Sequence, residues 1–186
     1  MTEQAGPGVA GEGERSRGPR VVVGIDFSSG ARAALLFALQ DAARRGVPVE
    51  AVSAYRPPDF WMDFNAVGSS QPDQARGAAL DRLRAFVDDV LPEAPTSPPQ
   101  VGLTVRMGAA ADVLIMASEG ADLLVVGSRG HSGFASMLLG SVSMHCALHA
   151  SCPVTVVHSP EAHRERLHRR RERQEPAGHP EHVPAS

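Results

Sequence analysis

The sequence predicts an α/β fold in which helices cover a parallel β-sheet. Short apolar runs rich in β-branched residues alternate along the chain with longer segments of helical composition. This alternation is typical of strands joined by crossover helices. With right-handed crossovers such strands can form a doubly wound sheet, in which ligands bind beyond the carboxyl ends of the strands.

Five strands and four helices are expected in strict alternation. The first helix has Ser28 or Ser29 as its N-cap, an interior rich in alanine and leucine, and Gly46 as its stop. The third strand follows a proline-rich loop, and the fourth is a short apolar run that stops at Gly127. The strands are predicted at residues 20–26, 48–55, 101–106, 122–127 and 153–158, and the helices at 29–45, 73–90, 110–119 and 141–150.

Length and composition indicate one folded domain. The chain has 186 residues, of which 42% are hydrophobic, enough for a sizeable core. We expect this domain at residues 20–158. Residues 1–19 and 159–186 contain few apolar side chains, so they cannot offset the entropy lost on ordering and are expected to be mobile tails. There is no convincing internal repeat, so a tandem pair of such domains is not expected.

Composition also argues against several classes of function. The sequence has no apolar run of about 18 residues and no charged-then-apolar leader, so we expect a cytoplasmic protein without a membrane span. The net charge of −3 gives no reason to expect binding to nucleic acid or to a membrane surface. The two cysteines, Cys146 and Cys152, are expected to be reduced.

The chain has no lysine, because all 18 basic residues are arginine. A Walker P-loop requires its lysine, so this class of nucleotide site is excluded. The same absence excludes Schiff-base chemistry and pyridoxal phosphate as a cofactor.

The fourth predicted strand is followed by the most informative motif in the chain. It consists of Gly127-Ser128-Arg129-Gly130, nine further residues, and Gly140-Ser141. Glycines allow a backbone to approach a ligand closely, and the N–H groups at the start of the last helix favour an anion. The motif therefore predicts a phosphate site, although each glycine taken singly could serve only a turn or a helix cap.

This motif, together with Gly24-Ile25-Asp26-Phe27-Ser28 after the first strand, resembles the universal stress protein family, specifically its ATP-binding branch. The resemblance covers roughly residues 20–158. It rests on five landmarks in family order, which are Val21-Val22-Val23-Gly24-Ile25-Asp26, Val52-Ser53-Ala54-Tyr55, Val105-Arg106-Met107-Gly108, the glycine motif, and Cys152-Pro153-Val154-Thr155-Val156-Val157.

The resemblance implies a five-stranded parallel sheet of order 3-2-1-4-5 with helices on both faces. This is a Rossmann-like fold of the adenine nucleotide alpha hydrolase type. In that order the loops after strands one and four lie side by side, so Asp26 and the glycine motif would share one crevice.

The resemblance further implies that ATP or a related adenine nucleotide binds in this crevice, with or without magnesium. Ala54 aligns with the family position whose backbone contacts adenine, and Ser143 with a position whose hydroxyl group reaches phosphate. Arg129 could hold phosphate through its planar guanidinium group. The complete set of predicted site residues is Gly24, Ile25, Asp26, Ala54, Val126, Gly127, Arg129, Gly130, Gly140, Ser141, Val142 and Ser143.

Ordinary structural roles remain open for four of these residues. Asp26 could accept hydrogen bonds from an adenine or ribose group, or it could be the N-cap of the first helix. Val126 could belong only to the core, Arg129 could be an exposed loop residue, and Ser143 could face solvent.

Other motifs give weaker indications of function. His131-Ser132-Gly133 lacks the Gly-x-Ser-x-Gly spacing of a nucleophile elbow, so a hydrolase triad is rejected. His145 and His149 could chelate a metal ion from one helix face, but Cys146 stands where the glutamate of a zinc-protease motif would be. Partly buried helix histidines are the favoured interpretation, and Cys146 is expected to pack as a small hydrophobe.

Two further segments are unusual in composition. Residues 56–72 hold much of the scarce aromatic content and are too long for a bare connector. They are expected either to cover the nucleotide or contact a partner, or to fold their aromatic side chains back on the domain. Residues 164–173 interleave arginine with glutamate, which is more typical of a solvated helical extension than of an RNA-binding arm.

Together these features predict an ATP-binding regulatory module in which nucleotide occupancy alters the affinity for an unidentified protein partner. A credible general base is missing, so we expect at most weak ATP hydrolysis and no other enzyme activity. The resemblance also implies a homodimer formed through the last strand, Val154 to Val157. A slow ATPase or phosphotransferase and a purely structural dimer with an empty crevice are the alternatives.

Overall fold

The computed structural model describes residues 18–56, 71–130 and 139–159. In these residues five parallel strands form one sheet in the order β3-β2-β1-β4-β5. The predicted fold class and strand order are therefore confirmed. The elements are β1 Val21–Gly24, α1 Ser29–Arg45, β2 Val49–Tyr55, α2 Gln71–Val90, β3 Val101–Met107, α3 Ala110–Ala117, β4 Leu123–Gly127, α4 Ser141–His149 and β5 Val154–Val157, with a short 3₁₀ turn at Leu91–Glu93.

The central strands read as continuous apolar runs because both faces of the sheet are covered. Val21 and Val23 face a core cluster shared with α1 and α2, whereas Val22 faces a second cluster shared with α3 and α4. All three valines are fully buried. The alternation of side chains along β1 thus divides the helices between the two faces of the sheet.

The observed elements differ from the predicted ones mainly at their ends. β1 stops at Gly24 rather than at residue 26, because the chain turns at Phe27, whose φ angle is 65°. α3 ends at Ala117 rather than at residue 119, because the Ser118 hydroxyl donates to the Ile115 carbonyl at 2.7 Å and Gly120 follows with a φ of 70°. Both ends are decided by local turns that apolar periodicity does not encode.

A buried arginine, Arg20, links several elements at the end of the sheet where the strands begin, opposite the end that holds their carboxyl termini. The Arg20 guanidinium forms an ion pair with Glu50 at 2.9 Å and donates to the Ala117 carbonyl at 2.8 Å. Glu50 also accepts from the Thr104 hydroxyl at 2.9 Å. These contacts join β2, β3 and the end of α3, and they satisfy the buried charge.

Several predictions concern parts of the chain that lie wholly or largely outside the described residues. They are the two tails, the aromatic segment 56–72, and the motif that begins at His131. Among the helices that the structure describes, none combines the length and the apolar character needed to cross a bilayer.

Candidate functional site at the carboxyl edge of the sheet

A crevice of about 610 Å³ opens where β1, β2 and β4 end and α4 begins. Its volume is within the range of small-molecule sites, about 300–1,000 Å³. The twelve residues predicted from the sequence all line it, and so do Val52, Ala110, Leu114 and Leu139, which the sequence analysis did not select. The structure therefore brings the predicted set together, and the binding role of each residue stays a prediction.

One end of the crevice has an apolar floor. Val52 and Val126 are buried and line it from two strands, and Leu114 lines it from α3. Gly24 permits this arrangement, because a Cβ at Gly24 would lie 2.8 Å from Cδ1 of Leu114. Val126 is thus both a core residue and a lining residue, so its two proposed roles are compatible.

The backbone of Ala54 faces the crevice because β1 is shorter than β2. In a parallel ladder, alternate residues direct their N–H and C=O groups to the same neighbouring strand. The N–H of Ile25 donates to the carbonyl of Val52 at 2.8 Å, so Val52 faces β1, and Ala54 faces the same way two residues later. Since β1 ends at Gly24, the Ala54 donor and acceptor point into the space beyond it.

The start of the glycine motif packs directly on the first turn of α1. A Cβ at Gly127 would lie 2.8 Å from the carbonyl carbon of Gly30, and a Cβ at Gly30 would lie 2.5 Å from the carbonyl oxygen of Arg129. Such distances leave no room for a side chain at either position. Packing within the protein therefore explains Gly127, which was the alternative role, and Gly30 is an equally constrained residue that the sequence analysis missed.

Asp26 supports the start of α1 without capping it. Its Oδ1 accepts from the Ser28 amide at 3.1 Å and from the Ser28 hydroxyl at 2.5 Å. The Ser28 Oγ in turn accepts from the Ala31 amide at 3.1 Å, so Ser28 is the N-cap. The alternative in which Asp26 is the N-cap is therefore wrong, and its exposed carboxylate is held at the rim of the crevice.

The carboxylate of Asp26 lies against the glycine motif, as the strand order implied. A Cβ at Gly130 would lie 2.1 Å from Oδ2 of Asp26. The loops after β1 and β4 therefore form one rim. A side chain at Gly130 would require the exposed Asp26 carboxylate to shift, so Gly130 lets this carboxylate lie against the motif in its present position.

The backbone of Ser128 forms hydrogen bonds with the start of α4 and with β5. Its carbonyl accepts from the Gly140 amide at 2.8 Å, and its amide donates to the Val157 carbonyl at 2.7 Å. The Ser143 hydroxyl donates to the Gly127 carbonyl at 2.6 Å, which ties α4 to the end of β4. Ser143 is buried, so the alternative in which it faces solvent is wrong.

The first turn of α4 presents backbone N–H groups to the crevice. The N-cap is Gly140, which has no side chain to accept a hydrogen bond from the first amides of the helix. The first amides of a helix lack partners within the helix, and the helix dipole gives this end partial positive charge. The exposed Ser141 hydroxyl and the partly buried Arg129 line the same region. This arrangement favours an anion such as phosphate.

The histidines of α4 do not form a metal site with other described residues. His145 and His149 are both exposed, with ring centroids 4.6 Å apart, which corrects the expectation that they are partly buried. Within residues 18–56, 71–130 and 139–159, no group of three metal-binding side chains occurs. Cys146 instead occupies the buried side of the helix, which confirms its prediction as a small core residue.

Comparisons with known proteins give a consistent result. A family model described as the universal stress protein family matches residues 19–158. A universal stress protein of Mycobacterium tuberculosis is 34% identical over 142 residues, which is 74% of this chain and 47% of that relative. One from Mycolicibacterium smegmatis is 33% identical over 137 residues, 74% of this chain and 45% of the relative. The chain spans about half the length of the curated relatives it matches.

Solved structures show the same fold. A universal stress protein crystallised in complex with cAMP is 27% identical, with a TM-score of 0.51 over 75% of this chain and 97% of that one. The universal stress protein UspA from Lactobacillus plantarum is 21% identical, with a TM-score of 0.60 over 74% of this chain and 97% of that one.

Proposed function

Because this chain belongs to the universal stress protein family, we propose that it binds an adenine nucleotide and acts as a nucleotide-dependent regulatory module. The observation that carries the proposal is a crevice with an apolar floor at one end and an uncapped helix N-terminus at the other. A base fits the first environment and a phosphate the second. The relative crystallised with cAMP supports the same class of ligand.

The backbone of Ala54, near the carboxyl end of β2, would select adenine. An adenine base offers an acceptor at N1 beside a donor at N6, and the backbone of Ala54 offers a donor and an acceptor that point into the crevice. A guanine base presents the opposite pattern on the corresponding edge, so its donor and acceptor would meet like groups.

The phosphates would be held without lysine. Amides of the first turn of α4, the Ser141 hydroxyl and Arg129 supply the donors. Hydrogen bonds to charged groups contribute about 1.5–3 kcal/mol each, so several of them could support a micromolar site, about −8 kcal/mol. We propose ATP as the ligand, since a chain of three phosphates offers acceptors to several donors at once. Magnesium, when present, would arrive on the phosphates with most of its water shell.

We propose binding rather than catalysis. Among the described residues that line the crevice, Asp26 and Arg129 carry the ionisable side chains. An ATPase requires a group that orients or deprotonates the attacking water. Oδ1 of Asp26 already accepts two hydrogen bonds from Ser28, which holds this carboxylate at the rim.

We also propose a homodimer formed through β5. This strand lies at the edge of the sheet, and all four of its residues, Val154–Val157, are partly exposed. An apolar edge strand is a template for pairing, which a second copy of the chain would cover. The dimer would then present two crevices to the regulatory partner.

The direct test is to identify the small molecule that accompanies the purified protein and to measure its effect on stability. We expect mass spectrometry of the denatured protein to find ATP or another adenine nucleotide. We expect ATP, at about 100 times its Kd, to stabilise the fold by about 2.7 kcal/mol, and GTP at the same concentration to have no comparable effect. Unchanged Tm with ATP, ADP, AMP and cAMP would overturn the proposal.

A further inference from the structure

Phe27, next to Asp26, has an unusual backbone conformation. Its φ angle is 65°, and it is the one non-glycine residue with positive φ in the described part of the chain. This left-handed region brings the Cβ close to the backbone, so a bulky residue remains there only when its surroundings hold it. Something in the structure must therefore stabilise this turn.

Two residues of α2 hold the Phe27 side chain. The ring of Phe86 lies edge-on to that of Phe27, with centroids 5.6 Å apart and planes at 86°. The guanidinium carbon of Arg82 lies 4.0 Å from the centroid of the Phe27 ring. Both geometries are favourable aromatic contacts. Helix α2, which does not line the crevice in the described residues, thus fixes the conformation of the residue next to Asp26, which does line it.

The conformation of Phe27 decides where the Asp26 carboxylate points. The left-handed residue reverses the chain between Asp26 and Ser28, which lets Oδ1 of Asp26 accept from both the amide and the hydroxyl of Ser28. Oδ2 takes no part in these two bonds and lies against Gly130, and both Asp26 and Gly130 line the crevice. If residue 27 relaxed to an ordinary φ, the two hydrogen bonds and the position of Oδ2 would be lost together.

We propose that Phe27 is a positioning residue, which α2 holds through Arg82 and Phe86 so that the Asp26 carboxylate faces the ribose hydroxyls of the nucleotide. This inference rests on the proposed function. Ribose hydroxyls are the donors that a fixed carboxylate at this rim would select. Two residues of α2 outside the crevice, Arg82 and Phe86, thereby contribute to the nucleotide specificity of the crevice.

The test compares two substitutions at residue 27 by calorimetric titration with ATP. Both Phe27→Ala and Phe27→Gly remove the ring, but glycine adopts positive φ without steric cost whereas alanine does not. We expect Phe27→Ala to raise the Kd about tenfold and Phe27→Gly about threefold. A role in apolar packing alone predicts equal losses, or a larger loss for the more flexible glycine, and either result would overturn the inference.

A double-mutant cycle shows whether Phe27 acts through Asp26. In an Asp26→Ala background, Phe27→Ala should change the Kd for ATP less than twofold. For 2′,3′-dideoxy-ATP, the native protein and Phe27→Ala should also agree within twofold. Full additivity in the cycle would contradict the proposal. Phe37→Ala is the matched control, because Phe37 packs on the same core cluster and lies in α1, so it should lower Tm and leave the Kd unchanged.

A measurement without nucleotide separates this inference from the proposed function. Amide hydrogen exchange at Ser28 should be faster in Phe27→Ala than in Phe27→Gly, because the bond from the Ser28 amide to Asp26 depends on the turn. If the native protein binds no adenine nucleotide, the proposed function fails. If it binds ATP but Ser28 exchanges equally in the two variants, only the role of Phe27 fails.

Discussion

The backbones of Gly127 and Gly30 are in direct contact, so that a Cβ on Gly127 would lie 2.9 Å from the Gly30 carbonyl oxygen. Gly127 ends β4 and Gly30 lies in the first turn of α1. The contact therefore fixes the distance between the start of the glycine motif and the helix that follows β1. It sets one wall of the crevice by main-chain packing alone, which cannot adjust as side chains do.

Gly30→Ala should weaken both the fold and nucleotide binding. Its Cβ would lie 2.5 Å from the Arg129 carbonyl oxygen, so the loop must move. We expect a loss of roughly 1–3 kcal/mol in the free energy of unfolding, measured with urea, and a Kd for ATP at least tenfold higher. Gly77→Ala is the matched control, because no atom lies within 4 Å of its Cβ position. Similar behaviour of the two variants would contradict the packing explanation.

Ser141→Ala and Ser143→Ala should have opposite consequences. The Ser143 hydroxyl is buried and donates to the Gly127 carbonyl, so its removal should cost about 1–3 kcal/mol of stability. Ser141 is exposed at the mouth of the helix, so its removal should leave stability unchanged and raise the Kd for ATP several-fold. Urea unfolding and calorimetric titration of both variants check this pair, and a reversed ranking would show that Ser143 is the phosphate contact.

Gly140→Asp should stabilise the protein while abolishing nucleotide binding. The nearest atom to a Cβ at this position is the Ser128 carbonyl oxygen at 3.5 Å, so a side chain fits. The new carboxylate would cap α4 and add roughly 0.5 kcal/mol to stability. It would also occupy the region proposed for phosphate and repel it. Retained ATP affinity in a folded Gly140→Asp variant would place the phosphates elsewhere.

Val156→Pro should separate a homodimer into monomers without disrupting the sheet. The Pro153 carbonyl accepts from the Leu124 amide in β4 and the Val157 carbonyl from the Ser128 amide just after it, so the backbone of Val156 points away from β4. Proline there removes a single outward N–H and is tolerated at a sheet edge. We expect light scattering to report a dimer for the native chain and a monomer for the variant at equal concentration. A native monomer would refute the dimer, and a dimeric variant would move its interface away from β5.

Alkaline pH should destabilise the protein through Cys146. Burial raises the pKa of this thiol to about 11, whereas an exposed thiol titrates near 8.5. The unfolded chain therefore loses the proton first, so this contribution to stability is complete below about pH 8.5 and declines as the pH rises to about 11. Urea unfolding across that window should show a steeper decline for the native protein than for Cys146→Ala. Parallel declines would mean that the thiol is not the cause.

The fold could be predicted because its signals are local. Runs such as Val21–Val23 are apolar because both faces of the sheet are covered, and Ser28 and Gly46 mark the ends of α1 as their cap chemistry requires. The strand order came with the family resemblance and is confirmed. The crevice-lining residues of the glycine motif could be predicted from this strand order, because loops that follow adjacent parallel strands lie side by side.

The rest depended on contacts between distant segments. Gly30 looks like an ordinary residue of a helix start, and only the approach of Arg129 reveals its constraint. Leu114 lines the crevice because α3 crosses that face of the sheet, which no spacing in the sequence encodes. The exposure of His145 follows from which side of the short helix α4 meets the sheet, where Ser143 is buried in place of an apolar residue.

The hydrogen bond from the Gly140 amide to the Ser128 carbonyl has a consequence for how this family can diversify. Both ends of the intervening segment are held by one main-chain bond at 2.8 Å, independently of its length. We therefore expect insertions between residues 131 and 138 to leave this bond and the rim of the crevice in place, so that contacts with a partner could change there without any change in the residues that line the crevice.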